Sequence, residues 1–119
     1  MSLGDKYARI IKEGTKRMED LLKRAKERGA KTIILYFFPP DVPPEIGIRG
    51  VDFVREDITE DDIYTMRGEE WDKVLMSELE PLAEEIVEVA KRLYRAGIMA
   101  HKVIEEVAKE VGLKCIETE

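Results

Sequence analysis

The stretch Thr32-Ile33-Ile34-Leu35-Tyr36-Phe37-Phe38 is the one long run of aliphatic, β-branched and aromatic residues in the chain. Such a run suits a pleated strand. A strand with one wet face would alternate apolar and polar residues. The lack of alternation predicts a central strand covered on both faces by helices. Pro39-Pro40 end the run by removing amide donors, and Pro43-Pro44 hold the following loop extended.

The rest of the chain supplies those helices. Tyr7, Ile10, Ile11, Met18, Leu21, Leu22 and Ala25 recur at helical spacing, with Asp5 as the expected cap and Gly29 as the stop. Gly14 falls on that apolar stripe, which predicts close approach of another backbone. A short strand over Val51 to Val54 follows Gly47-Ile48-Arg49-Gly50, antiparallel to the first because no helical crossover separates them. Thr59 and Asp62 form a capping-box pattern that opens a short helix closed by Gly68. Trp71, Leu75, Leu79, Leu82, Ile86, Val89 and Leu93 keep one helical phase, predicting a long helix from about 69 to 95, kinked at Pro81 or split into two nearly coaxial pieces. A helix over 98–111 closed by Gly112 and a strand over 113–117, short and charged like an edge strand, complete the order α-β-β-α-α-α-β. The fold class expected is α+β, or α/β, with a small three-stranded sheet in a single domain over 1–119.

Composition bounds the setting. Asn and Gln are absent, and charged residues make up 39% of the chain, as in hyperthermophile and archaeal-like proteins. There is no leader pattern, no apolar span of membrane length and only the single Cys115, so a cytoplasmic protein with no membrane partner is expected. Charge is segregated. Residues 1–31 carry ten Lys or Arg against five Asp or Glu, whereas the remainder carries ten against twenty-one. A basic first helix suits phosphates. The acidic residues Glu78, Glu80, Glu84, Glu85 and Glu88 offer a nearer partner, within the chain or across a dimer, so nucleic acid is not the expected ligand.

Three groups of residues have the chemistry of a site. Asp52, Glu56 and Asp57, followed by Glu60, Asp61 and Asp62, gather oxygen ligands suited to Mg²⁺ or Mn²⁺, as a hydrolase or nuclease would require. The helix dipole equally accounts for the last three. Tyr36, Phe38 and Arg49 flank the Pro-rich loop at the carboxyl end of the central strand, where open α/β sheets bind small ligands. Cys115 and His101 are too few for structural zinc, and Cys115 in an apolar strand reads as an inert thiol.

Two short resemblances carry less. Gly47-Ile48-Arg49-Gly50 has the spacing of the backbone-clamping loop of KH domains, although there the loop joins two helices. Glu106 to Leu113 resembles the first helix and turn of a helix-turn-helix unit, without the recognition helix. The sequence as a whole predicts a non-enzymatic binding or assembly module acting as a homodimer. A metal-dependent hydrolase and a small-ligand binder are the alternatives, and no resident cofactor is expected.

Overall fold

A computed structural model describes residues 2–38 and 47–118. The elements are α1 (Leu3–Glu27), β1 (Thr32–Phe37), β2 (Ile48–Val54), α2 (Glu60–Thr65), α3 (Gly68–Val74), α4 (Glu80–Arg95), α5 (Ala100–Val111) and β3 (Lys114–Thr118). The architecture is α+β, with helices layered on a three-stranded mixed sheet. No helix among the described residues is long and apolar enough to cross a membrane.

The sheet order is β2-β1-β3, so the run over Thr32–Phe37 is the central strand. It pairs antiparallel with β2 and parallel with β3. Alternation of side chains splits the core in two. Ile33 and Leu35 join the large cluster formed with Met18, Leu22, Ile86, Leu93 and Ile104 of α1, α4 and α5. Ile34 joins a smaller cluster with Val54, Ile58 and Ile116, packed by Ile63, Trp71 and Val74 of the α2–α3 layer. Both faces of the strand are therefore dry. Tyr36 pairs with Gly50 and Phe37 with Ile48, which leaves Arg49 as an extra residue in β2.

Several sequence expectations need correction. The cap of α1 is Ser2, whose hydroxyl accepts the Asp5 amide at 3.1 Å, and not Asp5 itself. Gly14 admits a side chain and not a backbone: a Cβ there would lie 2.6 Å from Leu93. Gly68 opens α3 where it was expected to close α2. The single long helix over 69–95 does not exist. Leu75 and Met76 are extended beside β2, with the Met76 amide donating to the Phe53 carbonyl and the Arg55 amide to the Val74 carbonyl, both at 2.9 Å. A 3-10 turn over Ser77–Leu79 then leads into α4, where Pro81 occupies the first turn. A first-turn proline lacks only an amide that the helix leaves unpaired anyway, so it starts this helix and kinks nothing. Trp71 belongs to the smaller cluster, on the opposite side of the sheet from Leu82 and Ile86.

Part of the charge segregation is resolved inside the chain. Arg17 of α1 bridges Asp20 and Glu85 of α4.

Candidate functional site

Parallel pairing of β1 and β3 brings their carboxyl ends together under the start of α5. On the face covered by α1, α4 and α5, titratable side chains gather there. The Tyr94 hydroxyl, near the end of α4, lies 2.8 Å from His101 Nδ1 and accepts the His101 backbone amide at 3.3 Å. A neutral imidazole that carries its proton on Nε2 lets Nδ1 accept the phenol proton, the arrangement in which both groups are used. Burial holds His101 below its ordinary range, which keeps it neutral. Phe37 meets the imidazole edge-on at 5.3 Å between ring centres. Burial likewise pushes the Tyr94 phenol up to about 12.

One helical turn beyond His101, Glu105 comes within hydrogen-bond reach of Glu117 on β3. Partial burial first, and then the neighbouring Glu105 carboxyl, push Glu117 up to about 7, although its side chain stays in contact with solvent. Burial raises the Cys115 thiol to about 12, which keeps it protonated.

A second feature lies on the other flank of the sheet. Between β2 and α4 runs a groove of about 850 Å³. Val51, Phe53, Leu79, Ala83 and Val87 supply its apolar surface, and Glu80, Glu84, Glu88 and Lys91 line its α4 wall. These wall positions recur at helical spacing along one stripe of α4. Among the described residues its carboxylates outnumber its cations, and Arg49 is the only basic side chain on the β2 side.

The residues singled out from sequence are dispersed. Tyr36 donates to Asp52 Oδ2 at 2.8 Å, on the face opposite His101. Burial first, and then this bond, raise the Tyr36 phenol far above its ordinary range. Arg49 is exposed near Tyr36, and Phe38 is half-buried where β1 ends. The prolines expected to form a rim lie outside the described residues. Asp52 is engaged by Tyr36, Asp57 pairs with Lys114 at 3.3 Å, and Glu56 is exposed, its carbonyl accepting the Thr32 hydroxyl. Among the described residues no group of three His, Cys, Asp or Glu side chains is placed to hold one metal ion.

Sequence reasoning missed Tyr94, Glu105 and Glu117 as members of a site, and considered His101 only beside Cys115. The i, i+4 spacing of His101 and Glu105 and the i, i+2 spacing of Cys115 and Glu117 do place each pair on one face. Only the β1–β3 register and the docking of α5 bring the two faces together. Comparison of the chain with family models, curated proteins and solved structures finds no match.

Proposed function

We propose that the protein is a non-enzymatic binding and assembly module, acting as a homodimer in the cytoplasm of a hyperthermophile, and that the groove between β2 and α4 is a surface it offers to a partner. The observation that carries this reading is the meeting of an apolar floor with a wall of carboxylates in one concave surface. Apolar centres with charged rims are the ordinary anatomy of recognition surfaces, and this volume falls within the range of small binding clefts. The lining suits a segment bearing apolar and Lys or Arg side chains.

Titration with a short alternating Leu-Lys peptide, followed by amide shifts, tests it. Shifts confined to Val51, Phe53, Ala83 and Val87 and lost in Glu84→Lys/Glu88→Lys are the expected result. Unchanged spectra at millimolar peptide would remove the groove from consideration. Light scattering at about 0.05 M and 1 M salt, spanning Debye lengths from above 10 Å to about 3 Å, tests the dimer.

A second reading is favoured by the cluster at the carboxyl end of β1 and β3. Aromatic rings of Phe37 and Tyr94 beside the Glu105–Glu117 carboxyl pair suit a small cationic ligand. Binding of a diamine that weakens in Glu117→Gln would support it.

A further inference from the structure

The first eleven residues of α1, Leu3–Glu13, form an arm that meets the core only at its base, through Ile10 and Ile11, and leaves its tip uncovered. Leu3 is 87% exposed and Tyr7 45%, Ile10 and Ile11 are half-buried, and the first buried residue of the helix is Met18. Eleven residues at 1.5 Å each make an arm of about 16 Å, a continuous extension of the packed half of α1. Yet the arm carries an apolar stripe. Leu3, Tyr7 and Ile10 follow one another at spacings of four and three, the a/d rhythm of a helix that packs on a second helix, and the next position, Gly14, already meets Leu93 of the same chain.

We propose that this stripe is covered by the same stripe of a second copy, with the two arms antiparallel about a two-fold axis. The inference rests on the assembly reading above and names its contact surface. Charge decides both occupant and direction. Lys6 and Glu13 are seven residues apart, both exposed, on the same flank of the stripe, and among the described residues neither makes an ion pair within the chain. An antiparallel arrangement that sets Tyr7 against the partner's Ile10 also sets Lys6 against the partner's Glu13, and does so twice by symmetry. A parallel arrangement would set the Lys6 flank against the partner's opposite flank, where Gly4 and Ile11 offer no charge. The arms also start near the end of α4, where Gly14 meets Leu93, so they project from the body and are free to cross another copy. The turn after α4 leaves Met99 54% exposed, a further apolar side chain at that end of the molecule. A contact of this length belongs to the small, reversible class of interfaces.

Sedimentation velocity from micromolar to millimolar protein reads the dimer constant directly. Tyr7→Asp is expected to abolish association. Lys6→Glu and Glu13→Lys, which each replace two attractions by two repulsions, are each expected to weaken it about tenfold at low salt, and the double reversal Lys6→Glu/Glu13→Lys to restore it. All these side chains are exposed, so folding is not at stake, and circular dichroism melts confirm it. A dimer indifferent to Tyr7→Asp and to both single reversals would overturn the arm contact while leaving the assembly reading in place. A wild-type monomer throughout the concentration range would overturn both.

Discussion

Tyr94 lies so close over Gly47 that a Cβ at that position would clash with the carbons of the phenol ring. Gly47 also has φ +94°, a conformation L side chains rarely adopt. Gly97 offers the control, with φ +78° and open space around it. Gly97→Ala is expected to cost about 1–2 kcal/mol for backbone strain alone. Gly47→Ala should cost about 1–3 kcal/mol beyond that, because the ring must move. Denaturant melts of the two variants measure the difference, and equal losses would show that Tyr94 yields freely.

Displacement of Tyr94 has a spectroscopic consequence. In the wild type, nitrogen shifts of His101 should report a proton on Nε2 and an acceptor at Nδ1, with a titration midpoint below 6.5. Tyr94→Phe removes the phenol proton that selects this tautomer, and the two ring nitrogens should become more alike. An unchanged pattern would assign the tautomer to some other contact.

The carboxyl pair makes a pH prediction of definite sign. Glu117 stands at about 7 in the folded chain against 4.5 ordinarily, so between these values the folded state keeps a proton the unfolded state has lost. Its contribution to stability is fully present below about 4.5 and is lost as pH rises through about 7. The melting temperature of the wild type should fall relative to Glu117→Gln over that window. The gap should narrow in salt, because the group is solvent-accessible. A constant difference across the window would mean that Glu117 is not raised in the folded chain.

Phe37 and Phe53 separate the end of the sheet from its middle. Phe37, in the longest apolar run, has the look of the core aromatic, but it is half-buried at the strand terminus against His101. Phe53 is 1% exposed in the large cluster. Phe53→Ala should cost about 3–5 kcal/mol by leaving a cavity, and Phe37→Ala clearly less. The reverse order in urea melts would place the weight of the core at the carboxyl end of β1.

What could be read in advance follows from which signals are local. The central strand, its antiparallel neighbour, the Thr59–Asp62 capping box and the edge position of 114–118 each depend on a few consecutive residues, and they stand. The break over Leu75–Leu79 was hidden because Trp71 and Leu75 share the angular phase of α4 by coincidence. Phase says nothing about which side of a sheet a residue meets, and Trp71 serves the other cluster. The His101 surroundings were illegible for a different reason: they combine side chains from β1, α4, α5 and β3, joined only by long-range register.

The parallel pairing of β1 with β3 has a kinetic side. Thr32 finds Lys114 across an interval of 82 residues, and every helix from α2 to α5 lies inside that loop. Closing so long a loop is slow, because its entropy is spent before the pairing returns anything. On the ribosome, β1 and β2 emerge as a hairpin while the other margin of β1, among the driest residues of the chain, still waits for its neighbour. Packing of α1 with α4 and α5 is the step that can hold that margin in readiness, so the order of maturation expected is hairpin, then helical layer, then the late insertion of β3.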